Sequence, residues 1–350
     1  GSSLFGSRAR FISPPLVSLS MAGAAGDAAG PDPLPSMVAI LVSIWAFVAA
    51  CLVCAEPQQA ASPPTGAYSK TAGAAAAGVA AAPQWLPDHS KYPAKRWMEV
   101  FVLWYSVVWM LVMAGIVVSQ AYEGFNEHGY MAVCVALALP LLIYPLCRPC
   151  AAEVGLPLAE RYSVKANTWI GIYSFIGNYF CTHYFYSVLR ASYSCPSWRL
   201  NDVPIPFYFA THFYFMTYHT FANIVQRRLS SGFAPNFRRH ILVVSTVAAL
   251  AYTTAFMEAL TISSFPYYSF EDRYMAYTLG SAFYAIYLVV SFPMFARVDE
   301  VPGERPFTLL QTAMESLGSC MLIITLLDLV RLSLGVPLCM AGKMLELKLN

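Results

Sequence analysis

The chain of 350 residues is 58% hydrophobic and 11% charged, with a mean hydropathy of +0.54. A soluble domain carries about 25% charged residues, so this composition excludes a water-soluble enzyme, a disordered chain and a disulfide-stapled secreted module. The formal net charge of +2 is too small to indicate a nucleic-acid partner. We therefore expect an all-α, polytopic transmembrane helical bundle.

Residues 1–90 differ from the rest of the chain and are predicted to form an N-terminal extension. Within them, residues 37–55 are an uncharged apolar run, close to the ~20 residues that cross a bilayer. The run is either a spanning helix or the apolar part of a signal peptide. An Ala/Gly/Pro-rich linker follows up to residue 90, with too little varied apolar surface to pack.

Seven apolar runs of spanning length come next, within a predicted membrane domain over residues 91–338 that precedes a C-terminal tail over 339–350. Each run should be a helix, because lipid forces backbone polar groups to pair within the segment. The runs cover residues 97–119, 128–147, 166–189, 205–226, 241–263, 275–296 and 308–331. Their connections are short, so an active site must lie among the helices or at their ends.

Lysine and arginine are distributed unevenly between the two ends of these helices, which predicts the orientation of the bundle. One side carries Lys91, Lys95, Arg96, Arg148, Arg161, Lys165, Arg227, Arg228, Arg238, Arg239, Arg297 and Arg305. The other side carries Arg190, Arg199, Arg273 and Arg331 near its helix ends. We expect the first side to be cytoplasmic, which places the C-terminus outside or in a lumen.

Two predicted helices carry polar side chains on one face. At 100° per residue, the run 205–226 places Tyr208, His212, Phe215, His219 and Asn223 within a stripe of about 80°. The run 166–189 places Trp169, Tyr179 and His183 on another stripe, with Asn178 on the adjoining face. Such groups should face the bundle or a cavity, where they either bond helix to helix or serve a functional site.

Carboxyl groups within the membrane are the strongest functional candidates. Glu258 has no cation within a turn on its own helix, so it should be neutral or satisfied by another helix. Glu315 lies within the last run, whereas Asp328 and Arg331 form an i,i+3 pair of structural character. Glu99, beside Lys95, is expected at the interface. A neutral acid, a base and many aromatic faces suit a flat polycyclic ligand and can stabilise positive charge.

Five long stretches resemble the cycloeucalenol cycloisomerase family, the cyclopropyl sterol isomerases of plants and green algae. They are ERYSVKANTWIGIYSFIGNYFCTHYFYSVLRASYSCPSWRLNDVP (Glu160–Pro204), THFYFMTYHTFANIVQRRL (Thr211–Leu229), MEALTISSFPYYSFEDR (Met257–Arg273), FYAIYLVVSFPMFARVDE (Phe283–Glu300) and LLDLVRLSLG (Leu326–Gly335). The resemblance extends from about residue 94 to 338 and leaves residues 1–90 outside.

This resemblance implies an isomerase of sterol biosynthesis that needs no cofactor or metal and converts cycloeucalenol to obtusifoliol. An acid protonates C19 of the 9β,19-cyclopropane ring, the ring opens to a C9 cation, and a base removes the C8 proton to leave a Δ8 alkene. The substrate is then a 4α-methyl cyclopropyl sterol. The resemblance also implies a multi-pass protein of the endoplasmic reticulum membrane, and it gives no information about protein partners.

We assign roles to the polar groups on this basis. Glu258 is expected to donate the proton, with Glu315 as the second candidate. His219 or His212 would accept or relay the C8 proton, and His183 would polarise its neighbour. Asn178 and Asn223 would orient these groups. The side chains expected to face the sterol or the cation are Trp169, Tyr179, Tyr184, Tyr208 and Phe215.

A non-catalytic membrane protein that binds or transports sterols is the alternative, since it would share the aromatic cavity. A transporter often shows two related halves, and the sequence contains no such repeat. A binding protein would not need Glu258 or the histidines. Turnover of a sterol substrate distinguishes the two classes.

Overall fold

The computed structural model describes residues 33–58, 83–181, 191–263, 265–270, 274, 276–300, 305–333, 339–340 and 343–344. Eight α-helices lie within these ranges, and the prediction of an all-α polytopic bundle is confirmed. They are α1 (Pro33–Cys54), α2 (Pro93–Val118), α3 (Glu127–Cys147), α4 (Tyr162–Ile176), α5 (Ile205–Gly232), α6 (Phe237–Ser263), α7 (Ser281–Ala296) and α8 (Leu309–Ser333). Short 3₁₀ helices cover Ala121–Gly124, Ala151–Glu153 and Leu158–Glu160. His183 and Tyr184 lie outside the described residues.

Two π-helical turns adjoin these helices. Gly177–Cys181 continues α4, and Ala276–Gly280 leads into α7. Such turns widen a helix locally and are common near functional sites.

Six of the eight helices are long and apolar enough to cross a membrane by length and composition. The other two are α4 and α5. Helix α5 has 28 residues and is therefore long enough, but His212, His219 and Arg227 lower its hydropathy. Its position explains this polarity, because α5 packs against α2, α3, α4, α6 and α7. A helix covered by other helices does not need an apolar surface on every side.

The main core surrounds α5 and consists of large side chains from several helices. Trp169, Phe213 and Ile170 are fully buried in it, and Met216 and Phe295 are almost as enclosed. The polar stripe predicted on α5 also faces inward, since His212, Phe215, His219 and Asn223 are all buried. Burial of this stripe brings several helices against the polar groups of α5.

Charged side chains bind the helices together at the end of the bundle that carries Lys95, Arg227 and Arg238, called the basic end below. Arg227 Nη2 lies 2.7 Å from Glu99 Oε1, and Lys95 Nζ lies 2.8 Å from Glu300 Oε2. Arg227 also forms an ion pair with Glu300. Glu99 is only 2% exposed, so it is not the interfacial side chain that the sequence predicts. Its arginine partner is 128 residues away in the sequence.

The environment of Glu300 stabilises its charged form. Burial alone would raise the pKa of this carboxyl, but hydrogen bonds from Arg227 and the charge of Lys95 lower the pKa below its ordinary value. A nearby opposite charge favours the ionised carboxylate in this way. Through its ion pairs, the cluster joins α2 and α5 to the connection between α7 and α8.

Short strands lie at the opposite end. They are β1 (Ala191–Tyr193), β2 (Arg199–Leu200), β3 (Val203–Pro204) and β4 (Tyr268–Phe270), followed in the tail by β5 (Cys339–Met340) and β6 (Lys343–Met344). In register, β1 pairs with β4 (Ala191 opposite Phe270), β2 with β3 (Leu200 opposite Val203) and β5 with β6 (Cys339 opposite Met344), all antiparallel. Asn201 and Asp202, between β2 and β3, have φ values of 52° and 61°, as a two-residue hairpin turn of type I′ requires.

Candidate active site

Glu258 lies near the end of α6 that is remote from the basic end, and tyrosines contact its carboxyl. The hydroxyl of Tyr284 on α7 donates a hydrogen bond to Glu258 Oε2 at 2.7 Å. Tyr218 on α5 is a second phenol that interacts with the same carboxyl. Three helices thus contribute one polar side chain each to a single contact.

More phenols lie near this contact. Tyr173 on α4, Tyr214 on α5 and Tyr268 on β4 all interact electrostatically with Glu258. The rings of Tyr214 and Tyr218 lie 6.1 Å apart, and the ring of Tyr284 meets that of Tyr287 edge-on at 5.5 Å. We call the set of Glu258, Tyr214, Tyr218, Tyr268 and Tyr284 the phenol cluster.

Within the described residues, no lysine or arginine forms an ion pair with Glu258. Moving a carboxylate out of water without a cation costs free energy, so the neutral carboxylic acid is favoured there. Phenols can hydrogen-bond to either form of the carboxyl. The site can therefore store a proton and stabilise the anion once the proton has left.

His219, on α5, is fully enclosed and has both ring nitrogens occupied. Nδ1 lies 2.7 Å from the carbonyl oxygen of Phe215, and Nε2 lies 2.8 Å from Ser291 Oγ. A carbonyl only accepts, so Nδ1 carries the hydrogen and the neutral Nε2 accepts from the Ser291 hydroxyl. Trp169 and Phe292 pack against the imidazole with ring centroids 5.4 Å and 5.1 Å away.

Ser291 links this histidine to a tyrosine of the interior. Its Oγ lies 3.2 Å from the hydroxyl oxygen of Tyr173. Ser291 has a single hydrogen, which it can give either to the Tyr173 hydroxyl oxygen or to His219 Nε2. Tyr173 also interacts with Glu258. A polar path therefore runs from His219 through Ser291 and Tyr173 toward the phenol cluster.

His212 forms a separate contact, with Asn167 on α4. Its Nε2 lies 2.9 Å from Asn167 Oδ1. Asn167 donates both hydrogens of its amide to the carbonyl oxygens of Leu141 and Ser163, at 3.0 Å and 2.9 Å. The amide oxygen is consequently the acceptor, so His212 carries its hydrogen on Nε2 and leaves Nδ1 as a base. A Cβ added at Gly171 would lie 4.0 Å from this ring.

The two predicted asparagines lie apart from the phenol cluster. Asn178 donates hydrogen bonds from Nδ2 to Thr211 Oγ1 at 2.7 Å and to the Ser174 carbonyl oxygen at 2.8 Å. Asn223 donates to Glu99 Oε1 at 3.2 Å, which places it in the charged cluster of the basic end. Asn223 and His219 share a helix face, but their contacts serve different parts of the bundle.

The predicted aromatic residues also divide into two groups. Trp169 and Phe215 are buried around His219 and Tyr173. Tyr179 and Tyr208 instead pack against Phe175, with ring centroids 5.7 Å and 5.6 Å away, on a partly exposed face. This second group lies at the end remote from the basic end, where the hydroxyl of Tyr208 donates to the Leu200 carbonyl oxygen at 3.0 Å.

Glu315, the second acid candidate, lies on α8 and is half-buried, as Glu258 is. No described residue forms a hydrogen bond or ion pair with its carboxyl. The bond predicted between Asp328 and Arg331 is confirmed, with Arg331 Nη2 2.7 Å from Asp328 Oδ1. Of the two candidate acids, Glu258 alone has a phenol hydrogen-bonded to its carboxyl within the described part of the bundle.

Sequence reasoning missed the tyrosines that enclose Glu258. Tyr284 and Tyr218 are 26 and 40 positions away along the chain, on two other helices. An aromatic-rich helix over residues 275–296 was a weak signal for them, because tyrosines also form interfacial belts. It missed Ser291 and Asn167 as well, since small polar residues in membrane helices usually bond to their own backbone.

A charged cavity of about 330 Å³ lies at the basic end. Lys91, Glu160 and Arg305 are among the side chains that line it. Its lining differs from the apolar and aromatic surface that a sterol needs. The phenol cluster is at the other end of α6.

Comparison with known proteins identifies one relative in particular. A cycloeucalenol cycloisomerase from Arabidopsis thaliana is 43% identical to this chain over 251 residues, which are 70% of this chain and 89% of the relative. No family model matches the chain. No solved structure matches it either.

Proposed function

Because the chain belongs to the cycloeucalenol cycloisomerase family, we propose that it converts cycloeucalenol to obtusifoliol by opening the 9β,19-cyclopropane ring. It is an isomerase and a multi-pass membrane protein. The substrate would be a 4α-methyl cyclopropyl sterol that enters the bundle from the bilayer. The observation that carries the proposal is the Glu258 carboxyl, held by phenols with no described cation beside it, in a member of this family.

The reaction needs one proton added and one removed. A carboxylic acid transfers its proton to C19 while the C9–C19 bond breaks, and the electron pair of that bond forms the new C–H bond. The C9 cation that results loses the proton on C8, and the electrons of that C–H bond form the C8=C9 double bond. The proton count and the oxidation level of the sterol are unchanged.

Glu258 would donate the proton to C19. Its surroundings favour the neutral acid before the transfer. After the transfer, the hydrogen bond from Tyr284 and the contact with Tyr218 stabilise the carboxylate. The same phenols fix the direction of the carboxyl, which general acid catalysis requires.

The aromatic rings around Glu258 would stabilise the C9 cation. A cation over an aromatic face gains about 0.5–2 kcal/mol per ring. Tyr214, Tyr218 and Tyr284 supply such faces from two helices. Their hydroxyls do not compete with Glu258 as acids, because a phenol is a much weaker acid than a carboxyl.

His219 would take up the C8 proton through a relay. Tyr173 would turn its hydroxyl toward Ser291 and pass its own hydrogen to Ser291 Oγ as it accepts the proton, while the Ser291 hydrogen passes to His219 Nε2. The Phe215 carbonyl oxygen then holds the other hydrogen of the imidazolium. We favour His219 over His212 for this role, because the described bonds of His212 lead to Asn167 instead.

The remaining predicted residues have supporting roles in the proposal. Trp169 and Phe215 enclose the relay, and Tyr179, Tyr208 and Tyr184 would contact the far end of the sterol. Asn178 would hold α4 against α5. His183 keeps its proposed role as a polarising neighbour, and Glu315 stays the second acid candidate. We also propose the endoplasmic reticulum as the membrane, in line with a sterol substrate.

Product formation in a host that makes no cyclopropyl sterols tests the proposal. Yeast membranes that contain the full chain would be given cycloeucalenol without added cofactor, and the sterols would be identified by mass spectrometry. We expect obtusifoliol in these membranes and none in membranes without the protein. Binding of cycloeucalenol without any obtusifoliol would contradict the proposal and support the sterol-binding alternative.

A further inference from the structure

We infer that α1 is a membrane helix that is not cleaved from this protein. It packs on the outer face of α6, with its N-terminal end on the side opposite the basic end. The sequence leaves open whether this segment spans the membrane or is the apolar part of a cleaved signal peptide. Its contacts with the rest of the bundle distinguish these alternatives. The inference does not depend on the proposed reaction.

A hydrogen bond within the membrane joins α1 to α6. Trp45 Nε1 donates to Thr253 Oγ1 at 3.0 Å. The Thr253 hydroxyl in turn donates to the carbonyl oxygen of Ala249 at 2.7 Å. Thr253 therefore uses its lone pair for α1 and its hydrogen for its own helix, and Trp45 satisfies its only polar group, the indole N–H.

Apolar side chains pack along the same interface. Val48 of α1 and Ala55, just after the end of α1, form a buried cluster with Leu242 and Ala249 of α6. Met37, nearer the start of α1, is fully buried. Lipid tails are as apolar as these side chains, so contact between membrane helices depends on close packing and polar bonds and not on the hydrophobic effect. A segment without such complementary contacts would have no preferred place on the bundle.

The other end of α1 pairs with the connection between α5 and α6. The Gln58 backbone N–H donates to the Gly232 carbonyl oxygen at 3.0 Å, and the Ala234 N–H donates to that of Glu56 at 2.9 Å. Arg238 also forms a 2.9 Å ion pair with Glu56. The pair is about 60% exposed on each side and contributes little energy, but the two backbone bonds fix the chain that leaves α1.

This pairing determines the direction of α1. Residues 54–58 lie beside Arg238, at the basic end, which the distribution of lysine and arginine makes cytoplasmic. A cleaved signal peptide has the opposite orientation, because its positively charged start stays in the cytoplasm and its cleavage site is carried across the membrane. A peptidase on the far side would not reach residues 55–58 in the arrangement seen here.

Helix α1 also supports the part of α6 that bears Glu258. Thr253 and Glu258 are five residues apart, which is about 140° around a helix. Trp45 therefore contacts α6 on the side that faces away from the phenol cluster. The lipid-facing surface of α6 is covered at this depth by a segment that lies outside the stretch resembling the isomerase family.

A glycosylation reporter tests both retention and direction. A single Asn-X-Thr acceptor would be placed near residue 15 of the full chain, which carries an epitope tag at its C-terminus, and the protein would be expressed in yeast. We expect a tagged protein of full size whose mass falls on removal of N-glycans. A shorter tagged protein without the acceptor would overturn the inference. A full-size protein that stays unglycosylated, while an acceptor in the C-terminal tail is used, would overturn the direction.

Cysteine cross-linking tests the position of α1 on α6 independently. Trp45→Cys and Thr253→Cys would be combined in a full chain with a protease recognition sequence between residues 59 and 82. After oxidation and cleavage, we expect α1 to stay attached to the body of the protein until a reductant is added. Phe47→Cys with Thr253→Cys is the matched control, because Phe47 is 58% exposed on the other face of α1. Equal cross-linking of both pairs, or of neither, would contradict the proposed interface.

Discussion

At the scale of single residues, Glu258 differs from the other carboxyls of the bundle in the kind of partner it has. Glu99 and Glu300 are paired with Arg227 and Lys95, whose positive charge favours the ionised form of a neighbouring carboxyl. Glu258 has phenols instead. A proton donor needs the second environment, because a carboxyl held as an anion by a cation has no proton to give.

Substitution of Tyr284 by Phe should slow the reaction without removing it. The variant loses the 2.7 Å hydrogen bond to Glu258 but keeps the ring. Hydrogen bonds to a charged group contribute about 1.5–3 kcal/mol, so kcat should fall about 10- to 100-fold. Steady-state turnover of cycloeucalenol in membranes measures this. Tyr287→Phe is the matched control, since its hydroxyl donates to the Cys181 carbonyl oxygen, and it should retain most of the activity.

Periodicity predicted which side chains point inward better than it predicted their partners. The stripe on α5 is buried as expected, from His212 to Asn223. Spacing along one helix cannot reveal that Asn223 meets Glu99 or that His219 meets Ser291, because these partners are 124 and 72 positions away. The isolation of Glu258 from cations on its own helix was visible in the sequence, whereas the tyrosines around it were not.

At the scale of elements, the helices were predictable and the connections between them were not. The predicted run 205–226 and helix α5, Ile205–Gly232, begin together, but the helix continues past the run because Arg227 is satisfied by Glu99 and Glu300. A prediction based on hydropathy ends the membrane-spanning run at such an arginine. Strands β1 and β4 join two connections 77 positions apart, and no local pattern indicates that pairing.

The charged cluster of the basic end should make stability depend on pH. The pKa of Glu300 lies below its ordinary value of 4.5, so its ion pairs stabilise the fold above that pH and are lost as the pH falls through the folded pKa. Glu300→Gln should cost about 3 kcal/mol at pH 7. The Tm difference between wild type and variant in detergent should shrink between pH 7 and pH 3.5.

Glu56→Gln is the control for this measurement. Glu56 also pairs with an arginine, but both side chains are largely exposed. Its substitution should change the Tm little at any pH, since exposed ion pairs contribute at most about 1 kcal/mol. A Tm difference for Glu300→Gln that stays constant over the pH range would contradict the role assigned to its charge.

At the scale of the whole molecule, the bundle separates two kinds of electrostatic environment. The basic end holds ionised groups in pairs, and the remote end of α6 and α7 holds a carboxyl with aromatic rings around it. The first fixes the helices, and the second suits a transient cation without a permanent counter-charge. This division explains why a chain with so few charged residues keeps several of them buried.

A cationic mimic of the intermediate should bind this molecule better than the substrate does. A sterol-shaped amine that is protonated at neutral pH places positive charge where the C9 cation forms. With about 0.5–2 kcal/mol per aromatic ring, the amine should inhibit at least tenfold more strongly than a neutral compound of the same shape. Equal inhibition by both compounds would contradict a cation-stabilising site.

The turnover of Glu258→Gln membranes, compared with that of Glu315→Gln membranes, tests the role of Glu258 most directly. Glutamine keeps the size and the hydrogen-bonding capacity of the side chain but has no acidic proton. General acid catalysis contributes about 10²- to 10⁴-fold, so Glu258→Gln should lose at least 100-fold in kcat while its amount in the membrane is unchanged. Glu315→Gln should stay within a few-fold of wild type. Near-normal conversion of cycloeucalenol by Glu258→Gln would contradict the account.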